Sequence, residues 1–517
     1  MRRVLLAAVA VSLLGAGCTA SPVPAPGPQG PPNSITIAQA VEPASLDPLA
    51  GYAPDGASKL FAGLVAHDAT GALVADLAAA LPVPSGDGLT WTVHLRTGLT
   101  FSDGSALSSA DVVATYRALL DPAVHSPLRT EFTMLRAVSA PDPRTVRFAL
   151  THPFPSFPTR LVLGILPAAA LATPTPAATD ALGEHPIGAG PYRLLRWRHG
   201  STMMLVANPH YHGRKPALHT VRIRFVPSDA QRRKLIAEGK VDAAALPPKQ
   251  AKASAAAASY DERTDPAADW LGVAFGATNP VTSNPAIRLA LNLAVRRKAM
   301  LASVLGGAGS VADTPITDAT PEFLDAGAHF TPDLARARGL LAAAGWRIGG
   351  HGIRARHGTR AAFTVRYPAG DTVAQALARQ VSAAALAVGI AITARAGSGT
   401  LAPGEAALVS AGDPFDPAPQ AGLLTGGVDP TTRYTGGDPT LASALRSAGT
   451  TPDPAQRAVY YRAYQRAYLK DPTMLVLLRT DHTWLVRSGW QNYTQVTDGA
   501  AQDVTWGALA NLQWWTR

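Results

Sequence analysis

The sequence predicts an α/β protein of two to four domains, on three observations. At 517 residues the chain is too long for a single hydrophobic core. Apolar residues make up 47% of it and are spread throughout, enough to fill large interiors. Residues 363–367, 372–387 and 390–394 read in succession as strand, helix and strand, the repeating unit of α/β architecture.

The other elements follow in chain order. Residues 19–33 (TASPVPAPGPQGPPN) form a Pro/Gly/Ser tether, a composition that stays extended and buries no core. A first strand is expected over 34–40, where Ile35 and Ile37 alternate with polar neighbours, and 58–64 suggests a short helix. Residues 89–96 alternate as a strand. Thr97-Gly98 and Ser102-Asp103-Gly104 are turns, and Ser108-Ser109-Ala110-Asp111 is a capping box. Val112, Val113, Tyr116 and Leu119 share one face of the helix it opens. Residues 145–150 are a strand, and 173–179 a low-complexity Ala/Thr/Pro loop.

Residues 185–211 (HPIGAGPYRLLRWRHGSTMMLVANPHY) predict a hairpin of two strands, 192–198 and 202–207, turning at His199-Gly200. Gly188 and Gly190 supply backbone freedom at its entry. A strand over 221–226, a helix over 230–237 and a turn at Gly239–Asp242 come next. A third region begins near Asp269. Asn284 and Pro285 start a helix with Ile287, Leu291, Ala294 and Val295 at core spacing. Thr331-Pro332-Asp333 caps another, ended by Gly345. The apolar run 406–409 reads as a strand. Asp453-Pro454 opens the last long helix, whose Tyr460, Tyr464 and Tyr468 form a packing stripe, and strands near 475–478 and 484–486 follow.

The formal charge is +10, and removing Arg2 and Arg3 with a leader leaves +8. The basic residues are mainly dispersed arginines, and only Gln231-Arg232-Arg233-Lys234 and Arg296-Arg297-Lys298 come close to a cluster, on helices where a solvated face is expected, which argues against nucleic acid. The one cysteine, Cys18, follows a positive start (Met1-Arg2-Arg3), an apolar run (4–14) and small residues, Gly15-Ala16-Gly17. That order is similar to a bacterial lipobox, with Gly15 at the usual Leu position, and implies a lipid anchor on Cys18 after a signal peptide of residues 1–17. A plain secretory cleavage site is the alternative. The arginine pair fits only part of the twin-arginine pattern, so general secretion is favoured.

Several motifs in one order resemble the extracellular solute-binding proteins of the peptide/nickel type, the capture subunits of ATP-driven importers. The hairpin resembles the signature G-T-G-P-Y-x-L…W…N-P-x-Y, with Ala189 in place of Thr and His212 where a Trp is common. WTVHLRTGLTFSDGSALSSADV (91–112) is similar to T-F-x-L-R-x-G-V-K-F-H-D-G-x-P-x-T-A-x-D-V. Residues 73–81 (LVADLAAAL) resemble its P-x-L-A helix, and 337–346 its A-x-x-L-L-x-x-A-G-W. Arg288 and Arg297 match R-x-A-l-x-x-A-i-D-R, with Arg296 replacing the Asp. The resemblance implies a periplasmic-binding-protein-like fold of two large lobes joined by a hinge, with an extra inserted domain (cluster C type). It divides the chain into a lipidated tether (18–33), lobe I (34–64, 183–268 and 483–517), an inserted domain (65–182) and lobe III (269–482). It also implies a monomer, ABC permease and ATPase partners, and no cofactor.

The candidate ligand site is Ser410-Ala411-Gly412-Asp413-Pro414-Phe415-Asp416-Pro417, at the end of the 406–409 strand, where α/β ligands bind. On residues alone the two Asp-Pro pairs also read as turn openers. By resemblance to W-x-x-D-x-x-D-P of peptide binders, Asp413 pairs with the ligand ammonium and Asp416 caps the neighbouring turn, while Ser410 and Ala411 contribute backbone contacts. Two departures favour an oligopeptide over a strict dipeptide. Ser410 replaces the Trp, and the helix near Val373-Ala374-Gln375 lacks the carboxylate-binding Arg, with Arg379 one turn further on. His210-x-His212 lacks the ligand set of a tight metal site. No H-E-x-x-H, G-x-S-x-G or P-loop occurs, so covalent chemistry is not expected. A non-peptide solute (nickel complex, haem or another amine-bearing solute), a surface-anchored hydrolase and an adhesin remain the alternatives.

Overall fold

One sheet of eleven strands runs through the molecule, and two long neighbouring strands hold its halves together. The computed structural model describes residues 33–173, 176–255, 259–276, 279–397, 399, 401–412, 415–418, 439–498 and 509–517. The sheet order is Ala391–Ala396, Ala362–Tyr367, Glu405–Ala411, Tyr260–Phe275, Leu475–Arg487, Ala243–Ala245, Ser34–Gln39, Thr220–Phe225, Thr202–Ala207 and Tyr192–Arg198, with Ser310–Val311 joined to Leu475–Arg487. Tyr260–Phe275 and Leu475–Arg487 are antiparallel along most of their length. Tyr260–Pro266 pairs with Asp481–Arg487, and Trp270–Val273 with Leu475–Arg479, with a register break between Pro266 and Trp270. A second sheet of four antiparallel strands is ordered Val83–Pro84, Thr90–His94, Thr145–Leu150, Leu135–Asp142.

Two large cores form on either side of the register break. One joins Ile35, Ile37, Tyr116, Phe148, Tyr192 and Ile223 to Trp484 and Trp515. The other joins Trp270, Leu291, Trp346, Val365, Val381 and Tyr464 to Leu475 and Leu478. Leu475–Arg487 therefore contributes side chains to both cores, and Tyr260–Phe275 to the second and, through Tyr260, to a smaller cluster with Ala38 and Leu485. In the second core, Ala362–Tyr367 and Ala391–Ala396 are parallel strands joined by the Thr372–Leu386 helix, the unit expected from the sequence.

Local signals hold where side chains cap the backbone. Ser108 and Asp111 close the capping box of the Ser109–Leu120 helix, with Ser108 N–H donating to Asp111 at 2.7 Å. Asn284 caps Pro285–Ala294, Asp333 caps Leu334–Ala343 and Asp453 caps Pro454–Tyr468.

Five expectations are corrected. Residues 58–64 are not helical: the carbonyls of Lys59 and Leu60 accept the N–H groups of Tyr192 (2.9 Å) and Gly190 (3.0 Å), which a helix would claim. The 73–81 segment is a strand, Leu73–Ala75, paired with Val65–His67, and then bends as Ala78 N–H donates to Leu64 at 2.9 Å. The 173–179 loop gives way at Pro176 to a helix running to Glu184. The two final strands are one continuous strand, Leu475–Arg487, because the polar residues Asp481 to Thr483 pair with Thr264–Pro266 across the ladder. Gly188 and Gly190 serve close approach instead of backbone freedom. A Cβ on Gly190 would lie 2.5 Å from the carbonyl carbon of Leu60.

Candidate functional site

The polar residues on the crossing strands gather at the register break. His482 Nδ1 lies 2.6 Å from Asp498, and its Nε2 lies 3.8 Å from Asp269 Oδ1. The Ser410 hydroxyl donates to the other Asp269 oxygen. Asp265 accepts the Val496 N–H and the Tyr493 hydroxyl, each at 2.9 Å. Arg479 locks the break, donating to the Ala267 carbonyl at 2.8 Å and pairing with Asp318 at 2.5 Å.

Burial sets the charges here. It pushes Asp269 above the ordinary carboxylate range, against the opposing pull of His482 and the Ser410 hydroxyl. Burial likewise raises Asp265 to about 6. It would lower His482, but Asp498, Asp269 and Asp265 outweigh it and hold the imidazole up to about 9. The result is an imidazolium enclosed by carboxylates at the point where the sheet changes register.

The candidate ligand segment departs from this cluster. Glu405–Ala411 is a strand whose last residues, Ser410 and Ala411, pair with Leu271 and Trp270. Gly412 follows against the break, where a Cβ would lie 2.5 Å from Asp269 Cα and 2.6 Å from the Ala268 carbonyl oxygen. Asp413 lies outside the described residues, as does Cys18. Phe415 stacks on His67 with centroids 3.2 Å apart and planes 6° from parallel. Burial pushes His67 down to about 4, so the stacked ring is neutral.

Asp416 is buried in a network of its own. It accepts Arg457 Nη2 at 2.7 and 2.5 Å, Tyr461 hydroxyl at 3.0 Å, Ser156 hydroxyl at 2.5 Å and the Ala418 N–H at 2.9 Å. The last bond is a turn cap, while the others tie the segment to the Pro454–Tyr468 helix and, through Ser156, to the first third of the chain. Residues 410–412 thus rest on a crossing strand, and 415–416 touch His67, Ser156 and the Pro454–Tyr468 helix.

The side chains of Asp269, His482, Arg457 and Tyr461 were not singled out from the sequence. Their signal is a charge inside an apolar strand run, as in DPAADWLGVAF and LVLLRTDHTWLV. Arg457 and Tyr461 are one helical turn apart, beside the tyrosine stripe. That stripe is core, with Tyr464 and Tyr468 buried. Arg379 is exposed on the Thr372–Leu386 helix. His212 pairs with Asp76 at 2.9 Å and His199 with Glu184 at 2.9 Å, and among the described residues no cluster could hold a metal ion.

Two lobes built on one mixed sheet, spanned by two adjacent strands with a polar segment at their junction, define a hinged binding protein. Residues 72–461 match the profile of the bacterial extracellular solute-binding proteins, family 5. Protein XP55 of Streptomyces lividans is 35% identical over 516 residues, covering 95% of this chain and 92% of its own. NikZ from Campylobacter jejuni, solved with Ni(L-His), superposes with a TM-score of 0.84 at 23% identity, covering 94% of this chain and 100% of its own. AppA from Bacillus subtilis, solved with a nonapeptide, gives 0.81 at 20% identity over 93% and 98% of the two chains. The chain belongs to the family 5 extracellular solute-binding proteins. It is the substrate-binding component of an ABC transporter for peptides or other solutes, a transport protein and not an enzyme.

Proposed function

We propose that this protein captures oligopeptides between its lobes and delivers them to a membrane permease powered by an ATPase. Asp413 receives the ligand ammonium, Ser410 and Ala411 offer main-chain groups, and Asp416 holds the turn that follows. The observation that carries this reading is the edge of the Glu405–Ala411 strand. Its pairing to Ala362–Tyr367 ends at Ala407, whereas its pairing to Tyr260–Phe275 continues to Ala411. The far side of residues 408–411 therefore has main-chain groups beyond the reach of that neighbouring ladder, a fit for an extended chain added as a strand. A buried peptide backbone needs such partners. That AppA carries a nonapeptide on the same fold supports a long ligand, and the loss of an aromatic wall at Ser410 points the same way.

In this reading lobe I comprises 34–64, 183–268 and 483–517, the inserted domain 65–182 and lobe III 269–482. The protein acts as a monomer, held outside the cytoplasmic membrane by a lipid on Cys18. Native mass spectrometry of the chain from Thr19 onward, purified without denaturation, tests the ligand. A co-purified peptide that is lost in Asp413→Ala is expected. A solute of another class, such as a nickel complex, or an empty protein that shows no thermal shift with a peptide library, refutes the peptide reading.

A further inference from the structure

The three edge strands of the large sheet present two opposite faces of different chemistry. On one, Met203, Leu205, Val221 and Ile223 are buried in the first core. The other is set by register. Arg196 stands opposite Met204, which stands opposite Arg222, and Arg198 stands opposite Thr202, which stands opposite Arg224. A third row runs from Arg193 through Val206 to Thr220. Residues directly opposite share a face, so five arginines rise from one side of three strands. Strand spacing and rise place them within a patch about 10 by 14 Å.

Four of the five are exposed and Arg224 is half-buried, and among the described residues none forms an ion pair. Glu42, beside the hairpin turn, is engaged by the Trp197 indole N–H at 2.7 Å and the Gly200 N–H at 2.6 Å. The bulge between Leu194 and Arg196 leaves Leu195 53% exposed, next in sequence to Arg196. An unpaired arginine field with an exposed leucine in it is a costly surface to keep unless something anionic covers it.

The entry of the N-terminal segment into the sheet at Asn33 says what that is. The carbonyl of Asn33 accepts the N–H groups of His219 (2.8 Å) and Thr220 (3.1 Å), so the N-terminal tether joins the sheet at the end of the third arginine row. Fifteen residues, Thr19 to Asn33, separate that point from Cys18. We propose that the arginine face is a docking surface for anionic phospholipid headgroups, against which the protein rests when its tether holds it at the membrane. This rests on the exported, Cys18-anchored reading above. A Pro-rich chain, when extended, spans about 3 Å per residue, so fifteen residues are long enough for the face to meet the bilayer. Five arginines beside an anionic surface strengthen the contact about fivefold each at most, and the contact weakens as salt rises.

The test uses the unlipidated chain from Thr19 onward and sedimentation with vesicles. Binding is expected to vesicles of equal parts phosphatidylglycerol and phosphatidylcholine, to be lost in high salt, and to be absent with phosphatidylcholine alone. The variant with Arg193, Arg196, Arg198, Arg222 and Arg224 all changed to Gln should bind at least about tenfold more weakly. A control with Arg117, Arg129, Arg136, Arg147 and Arg336 changed to Gln alters net charge equally and should bind as wild type. Unchanged ligand retention and thermal unfolding show that both variants fold. Equal loss in the control, or no preference for phosphatidylglycerol, overturns the proposal. So does wild-type indifference to lipid combined with arginine-dependent binding to an acidic protein partner. Because the assay needs neither lipidation nor ligand, failure of the Cys18 anchor, read from the mass of the exported protein, is scored separately.

Discussion

Replacing Arg457 with Met tests whether the Asp416 network holds the ligand segment in place. The side chains of Arg457 and Asp416 are 8% and 6% exposed, so neither charge has water to fall back on. Methionine fills much of the same volume but removes both Nη2 bonds to the carboxylate, the Nε bond to the Ala448 carbonyl at 2.9 Å, and the guanidinium over Phe323 at 5.2 Å. Asp416 would keep the Ser156 and Tyr461 hydroxyls and the Ala418 N–H, but lose the Arg457 charge. Breaking a buried pair from one side costs about 3–5 kcal/mol, most of it from the uncompensated ion left behind. That origin makes a second, sharper prediction. In Asp416→Asn/Arg457→Met the stranded charge is gone, so the double variant should be more stable than Arg457→Met alone. Urea unfolding followed by tryptophan fluorescence measures both, with separate transitions for separate domains fitted individually. Arg457→Met costing under about 1 kcal/mol, or a double variant no more stable than the single, would refute the reasoning.

Other outcomes follow from the hinge and the close approaches. His482 is held up to about 9 from an ordinary 6.5, a difference of about 3 kcal/mol. A raised base pKa stabilises fully below the unfolded value and is lost as pH climbs through the folded one. The stability difference between wild type and His482→Gln should therefore shrink between about pH 6.5 and 9. Comparing the two proteins is necessary because buried Lys59, lowered to about 7 by desolvation, makes stability rise with pH over part of the same range. An imidazole titrating near its ordinary value by NMR would contradict the enclosure by three carboxylates. Gly190→Ala should lower stability by about 1–3 kcal/mol, since its Cβ meets backbone at Leu60 and not a movable side chain. An unchanged melting temperature would mean that a Cβ at Gly190 finds more room than 2.5 Å from the Leu60 carbonyl carbon.

The sequence made elements legible where one local signal decided them. Ser108, Asn284, Asp333 and Asp453 are read correctly because a cap needs only its own first turn. The 372–386 helix and its flanking strands are read correctly because their apolar periods are unbroken. Failures occur where distant chain decides. Residues 58–64 are apolar and short, and only the arrival of Gly190 and Tyr192 makes them extended. Tyr260–Phe275 carries Asp261, Glu262, Arg263, Asp265 and Asp269, a composition that argues against a strand. Its polar residues are stable there because His482, Tyr493, Ser410 and Ser488 face them from elsewhere. In the candidate site, Ser410, Ala411 and Asp416 can be found from one contiguous motif. Asp269, Arg457 and Ser156 cannot, since their positions are brought together only by folding.

The two spans between the halves are adjacent strands of a single sheet, not loops. A joint of that kind keeps its amides paired while it moves, so its compliance is elastic and not a matter of local melting. Twist of a two-stranded ribbon is the soft direction, and shear along the strands is opposed by every bond of the ladder. Outside the break at Ala267–Asp269, backbone protons of Tyr260–Phe275 and Leu475–Arg487 would then exchange with solvent slowly, however often the halves part. Slow exchange at a moving joint would also protect it from proteases, which need several residues of unpaired chain.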